Sequence, residues 1–140
     1  LARAKNKVFF SKLDARSGFS QIPVAECDQP KSAFWWKGQA WMYTRAPFGL
    51  TNIPAHFQAV MDNIILTEGL SDFCCCYIDD ILIFSDTIVE HESNVKLVLQ
   101  AIYKYHLRSD PDMSIFSAPV LYSYGFNVNR YANTTKDCTV

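Results

Sequence analysis

The chain has 140 residues, of which 49% are hydrophobic, 14% aromatic and 19% charged, with a formal net charge of -1 and a pI near 6.3. That length suits one core-forming domain, and the hydrophobic content excludes an intrinsically disordered chain. Near-neutrality excludes nucleic-acid binding driven by global charge, so any such binding needs a local basic surface.

No apolar run reaches the about 18 residues needed to span a bilayer, and "LARAKNKVFF" lacks the apolar stretch of a signal peptide. A soluble, intracellular protein with no membrane partner is expected. Its start at Leu1 points to part of a longer reading frame. The first element, "NKVFFSKLD", is rich in Val and Phe and ends at Asp14, as a buried strand would. "ARSGFSQIPV" breaks that pattern with Gly18 and Pro23. In "SAFWWKGQAWMYT" two aromatic stretches flank Lys37, Gly38 and Gln39, which predicts a hairpin turning at Gly38.

Beyond "APFGL", the residues Ile53, Phe57, Val60, Met61, Ile64 and Ile65 recur at helical spacing, with Asn52 as N-cap and Pro54 in the first turn. Two strand-like runs follow, "FCCCY" and "ILIF", joined across "IDD"; their continuous hydrophobicity predicts cover on both faces. "TIVEHESNVKLVLQAIYKYHL" opens with Thr87 and Glu90 in capping-box spacing and carries Val95, Val98, Leu99, Ile102 and Leu107 as one stripe, a second helix. After "RSDPD", the stretch "SIFSAPVLYSYGFNV" can hold two short strands, and "NRYANTTKDCTV" is a polar, frayed end. This order predicts an α+β domain, an antiparallel sheet with helices packed on one face.

Five cysteines, Cys27, Cys74, Cys75, Cys76 and Cys138, fit neither a disulfide framework nor a zinc pattern. Three in a row on a strand point to alternate faces, and the expectation is small, reduced core residues. His56, His91 and His106 are not spaced as a metal cluster. Asp79 and Asp80 admit two readings. Aspartate is an ordinary turn residue, yet adjacent carboxylates repel and hairpin turns favour a glycine that is absent here. The functional reading pairs them with Mg2+, a hard cation that takes oxygen ligands, and with a further carboxylate, for which Asp14 is the candidate.

"FSKLDARSGFSQIPVAECDQPKSAF", "APFGLTNIPAHFQAVMD" and "YIDDILIFSDTIVEH" together resemble the successive motifs of reverse transcriptases, RNA-directed DNA polymerases, from gypsy-type long-terminal-repeat retrotransposons, over about Phe10 to Leu107. The resemblance implies a right-hand polymerase palm, with residues 1–21 and 53–110 in the palm, 22–52 in a fingers-like hairpin region and 111–140 a poorly matching palm end. It makes Asp14, Asp79 and Asp80 the catalytic metal ligands, with the backbone carbonyl of Ala15 close to metal. Two Mg2+ ions are implied, with Mn2+ as a substitute, and nucleotidyl transfer from a dNTP to a primer 3′-hydroxyl on an RNA or DNA template. Phe19 matches an aromatic gate against a 2′-hydroxyl, though it also reads as a core phenylalanine. Phe48 and Gly49 would lie near the nucleotide, and Tyr77, Ile78 and Gly125 near primer and template. His91 matches a structural position at the start of the last helix.

Lys31, Trp35, Trp36, Lys37 and Arg45 could meet template, or form a solvated hairpin with core-facing tryptophans. The pattern departs from the family at Met113 and Ser114, where a Lys-Cys pair is usual, and in "SYGF", which keeps Gly125 without the following histidine. The resemblance leaves upstream fingers, thumb, connection, RNase H and integrase to the rest of a polyprotein, and cytoplasmic virus-like particles as the setting. An inactive retroelement remnant and a host-recruited binding module using the palm surface are the alternatives to a working polymerase fragment.

Overall fold

Side-chain alternation along β1 (Phe9–Ala15) sorts its residues onto two faces, and the core follows that sorting. The computed structural model describes residues 2–123, 126–129 and 134–135. After β1 come β2 (Phe34–Trp36), β3 (Gln39–Trp41), α1 (Ile53–Thr67), β4 (Cys74–Tyr77), β5 (Asp80–Ser85), α2 (Ile88–Lys104), β6 (Ser109–Ala118), β7 (Val120–Ser123), β8 (Phe126–Asn129) and β9 (Thr134–Thr135). The main sheet is antiparallel in the order β4-β5-β1-β6. The described residues also form two small sheets, β2-β3 and β7-β8-β9.

One face of the main sheet presents Leu13, Ile81, Ile83 and Cys74 to Phe57, Met61 and Ile64 of α1 and to Val98, Ala101 and Ile102 of α2. Each large side chain buried there stabilises the fold by about 1.5–3 kcal/mol relative to exposure. The register of β1 with β5 pairs Phe10 with Phe84, Lys12 with Leu82 and Asp14 with Asp80, so these six share the face turned away from the helices. Phe10, Leu82 and Phe84 are buried there against Ala4, which lies in a 3-10 turn over Ala2–Ala4. The same face is therefore apolar at one end and charged at the other. The continuous hydrophobicity of the β4-β5 runs reflects cover on both sides.

Several local expectations need correction. Asn52 precedes α1 but makes no side-chain capping bond, because its backbone is already helical at φ -91 and ψ -9. At α2, Glu90 N donates to Thr87 Oγ1 at 3.3 Å, while the Glu90 carboxylate reaches back to Asp86 N, one residue before the cap. Leu99 does not share the buried stripe; it is exposed, and His91 and Asn94 are buried instead. "RSDPD" is no break, since β6 already begins at Ser109. It tolerates Pro111 because it lies at the edge of the sheet, where a missing donor costs nothing.

Cys74 is buried and Cys75 and Cys76 half-buried, and all four described cysteines are free, but Cys27 is exposed. Burial pushes the Cys74 and Cys76 thiols up, which keeps them inert. No helix among the described residues is long and apolar enough to cross a membrane.

His91 is fully buried and ties three elements together: Nε2 lies 2.7 Å from Ser11 Oγ, and Nδ1 3.0 Å from Ser85 Oγ. Asn94 Nδ2 donates to the same Ser85 oxygen, and Ser117 N to Ser11 Oγ. Burial holds the imidazole below its ordinary pKa, against an opposing effect from Glu90. The folded state thus binds fewer protons than the unfolded one, so stability is full above the ordinary histidine pKa of about 6.5 and is lost as pH falls below it. The urea midpoint is expected to drop between about pH 7 and pH 5, and to drop less in His91→Gln. Equal slopes for the two proteins would show that His91 does not carry the effect.

Candidate active site

Strand pairing brings the three aspartates together. Asp14 is opposite Asp80 in the β1-β5 register, and Asp79 immediately precedes β5 in the two-residue turn after Tyr77. Ala15 N donates to Asp79 O at 2.8 Å, tying the end of β1 to that turn. Asp80 is thus a strand residue, and Asp79 alone of the pair occupies the turn.

The carboxylates stand in each other's field. Burial, then Asp80, raises the Asp14 pKa, with Asp110 adding to it and Lys12 opposing. Burial, then Asp14 and Asp80, raises that of Asp79. Lys12 Nζ forms an ion pair with Asp80 Oδ2 at 2.9 Å, with both side chains about four-fifths buried. Asp79 Oδ1 is the buried side-chain oxygen without a hydrogen-bond partner among the described residues. An unbonded carboxylate oxygen beside two further carboxylates is a donor set suited to a hard divalent cation. No three acidic, histidine or cysteine side chains among the described residues form a ready-made metal cluster, in keeping with Asp80 being held by Lys12.

The turn is strained and clamped. Ile78 has φ 54, a left-handed conformation that costs a β-branched residue about 1–2 kcal/mol. Gln58 on α1 accepts a hydrogen bond from Ile78 N at 2.7 Å and donates to Cys76 O at 2.9 Å, so one side chain grips both sides of the bend. Cys76 Sγ also bonds Ile78 O. Gln58→Ala is expected to destabilise the fold by about 1–2 kcal/mol, since it strips partners from two partly buried backbone groups. Urea unfolding measures the effect, and an unchanged midpoint would show that the clamp carries no stability.

Gly18 lies in a 3-10 turn (Gly18–Gln21) and is buried against the site. A β-carbon there would run into Asp79 Oδ1, so the glycine is what admits that carboxylate. Phe19 packs edge-on against Phe57 at 5.8 Å and Phe48 at 5.5 Å. Phe48 is 73% exposed, and Gly49 beside it has φ 98. Tyr77 is 59% exposed at the mouth of the turn. Ser114 Oγ accepts from Asp14 N at 3.3 Å and donates to Asp110 O; Met113 is exposed. Gly125 lies outside the described residues.

The β2-β3 hairpin turns through Lys37 and Gly38, both at positive φ as in a type I′ turn. Its tryptophans do not face a core: Trp35 is 77% exposed, and Trp36 and Trp41 are exposed as well. Lys37 lies over the Trp36 ring, and Lys31 pairs with Asp28. Arg45 Nη1 donates to Gln21 O at 2.9 Å.

Sequence reasoning missed Lys12, Gly18, Gln58 and Asp110. Lys12 was within reach, because the period of two along a strand puts it on the same face as Asp14. The others are brought in by tertiary packing, which local pattern does not encode.

A sequence model of the family described as reverse transcriptase (RNA-dependent DNA polymerase) matches residues 1–118. The chain is 41% identical over 116 residues to the retrovirus-related Pol polyprotein from transposon opus of Drosophila melanogaster, covering 83% of this chain and 12% of that polyprotein. To the corresponding polyprotein from transposon gypsy of the same species it is 32% identical over 130 residues, 93% of this chain and 12% of the other. The chain therefore spans about an eighth of the length of these relatives.

Among solved structures, the foamy viral protease-reverse transcriptase in complex with RNA/DNA hybrid superposes with a TM-score of 0.85 at 23% identity, covering 94% of this chain and 18% of that one. A foamy viral form in complex with double-stranded DNA gives the same score and identity, covering 94% of this chain and 23% of that one. At that identity the likeness is one of fold, and the antiparallel sheet with two helices is consistent with a palm-like fragment.

Proposed function

The chain belongs to the reverse transcriptase family, and from that premise we propose that it is the nucleotidyl-transfer core of an RNA-directed DNA polymerase encoded by a gypsy-type retrotransposon polyprotein. Its substrates would be deoxynucleoside triphosphates and a primer annealed to an RNA or DNA template. The observation that carries the reading is the buried, unbonded Asp79 Oδ1 beside Asp14 and Asp80 at one end of the sheet.

Asp14 and Asp79, with Asp80 and the Ala15 carbonyl beside them, are the groups that would hold Mg2+, or Mn2+ in its place. When bound, such ions supply the positive charge that offsets bringing a polyphosphate to an acidic corner and that stabilises the attacking and leaving oxygens. The chain's own residues supply the rest. Lys12 neutralises part of the acidic charge through Asp80. Phe19, wedged between Phe48 and Phe57, forms a rigid floor that would exclude a sugar 2′-hydroxyl. Tyr77 and Ile78 present the turn to the primer end, and Gly49 allows close approach of a nucleotide. The exposed tryptophans of the β2-β3 hairpin offer stacking surfaces to template bases.

The reading predicts extension of a primed RNA template in Mg2+ or Mn2+, with dNTPs strongly preferred over NTPs. Absence of extension both by this chain and by the chain joined to its flanking polyprotein segments would overturn it in favour of an inactive remnant.

A further inference from the structure

On the face of the sheet turned away from the helices, strand register lines up three carboxylates in a row. Asp80 on β5 and Asp110 on β6 each stand opposite Asp14 on β1 between them. Asp79 adds a fourth from the turn, within the field of Asp14 and Asp80. One of these groups is already engaged by the backbone, since Asp112 N donates to Asp110 Oδ1 at 3.1 Å.

Lys12 is the cation set against this row. Two residues before Asp14 on the same strand, it faces the same way, and its register partner on β5 is Leu82. Asp80 is therefore its diagonal neighbour, at a spacing of about 7–8 Å that a long side chain can bridge. Nζ does bridge it, lying 2.9 Å from Asp80 Oδ2 in a pair about four-fifths buried on both sides. The ammonium also opposes the effect of burial, Asp80 and Asp110 on Asp14. A buried pair of this kind costs desolvation and often adds no net stability. Its position matters more for the cation that the aspartates would hold. A dication taken up by Asp14 and Asp79 meets an ammonium already seated on the next carboxylate. Recruiting Asp80 as a further ligand means breaking the Lys12 pair, and leaving it means standing a few ångströms from a like charge. Either way Lys12 weakens the hold on metal.

We propose that Lys12 is a built-in counter-cation that competes with the divalent ion for Asp80 and thereby sets how tightly the aspartates bind metal. It is a positioning residue that acts through Asp80. Asp80 then has two states, paired with Lys12 without metal and released toward metal with it. The inference rests on reading the aspartates as a metal site.

The test is calorimetric titration of the 140-residue chain with Mn2+, alongside melting in EDTA and in Mn2+. Lys12→Gln is expected to bind Mn2+ about tenfold more tightly than wild type, since the competitor and its repulsion are both gone. It should melt below wild type in EDTA, where Asp80 has lost its ion pair, and gain more from Mn2+. Lys12→Met keeps the apolar stem, should behave the same way, and secures the result if the glutamine variant folds poorly. Lys12→Arg retains the charge and should bind close to wild type. In an Asp80→Asn background the gain from Lys12→Gln should shrink, because no carboxylate is left to release. Affinity unchanged or weakened in both neutral Lys12 variants would overturn the proposal. So would an equal gain in both backgrounds, which would make the effect one of distance and not of competition for Asp80. Mn2+ binding that does not differ between wild type and Asp79→Asn removes the metal site and this inference with it. Binding that needs Asp79 yet is indifferent to Lys12 removes this inference alone.

Discussion

Replacing Asp79 with asparagine is expected to abolish primer extension and, at the same time, to make the protein more stable. The carboxylate is held where burial and two like charges, Asp14 and Asp80, disfavour its ionised form, and one of its oxygens has no hydrogen-bond partner among the described residues. At neutral pH the fold therefore carries a charge it does not satisfy internally. The amide keeps the shape and removes the charge, which should contribute about 1 kcal/mol to stability in metal-free buffer, or a rise in Tm of about 3 °C.

The sign follows from linkage. A carboxyl whose pKa is raised by folding contributes stability that is full below its ordinary pKa of about 4 and is lost as pH rises through the raised value. The advantage of the variant over wild type should thus grow from acid to neutral pH. Added Mg2+ should raise the Tm of wild type and leave that of the variant nearly unmoved. Extension should fall by about a thousandfold or more, corresponding to about 4 kcal/mol of transition-state stabilisation. Single-turnover extension and urea unfolding in EDTA measure the pair. An Asp79→Asn protein less stable than wild type without metal would contradict the view that this oxygen is left free for a ligand.

How much of this was readable beforehand depends on the range of the interaction. The helices, the β4-β5 hairpin and the sheet with helices on one face follow from periodicities within single segments, and the structure has them in place. Local pattern at "YIDD" could not choose between turn and metal site, because turn chemistry and ligand chemistry favour the same residue. The ordered motifs around it supplied Asp14, and the β1-β5 register then places Asp14 opposite Asp80. Pro111 hid the start of β6, since a proline argues against a strand until its edge position is known. The exposure of Trp35 was unreadable for a related reason: a two-stranded hairpin has no inside of its own, and only tertiary packing decides what covers it. Gln58 depends on a side chain reaching across elements, with nothing in its own neighbourhood to mark it.

Gly18→Ala should damage the protein with a single added methyl. Gly18 has no left-handed backbone to require a glycine; what it provides is space. A β-carbon built there collides with Asp79 Oδ1, lies 3.0 Å from Phe57 Cζ and 3.4 Å from Ala15 Cβ. Phe57 is fully buried within the α1 core and cannot yield, so the carboxylate must move. Displacing it by even about 1 Å is expected to cost about a hundredfold in extension rate, and the overpacking about 1–3 kcal/mol in stability. A double-mutant cycle separates this from general disruption of the turn at Gly18–Gln21. With Asp79→Ala in the background the colliding oxygen is gone, and the stability cost of Gly18→Ala should shrink to the residual contact with Phe57. If the cost is the same in both backgrounds, the glycine serves the backbone and not the carboxylate. If it shrinks, the space at Gly18 is what lets the fold hold a buried charge at the end of its central strand.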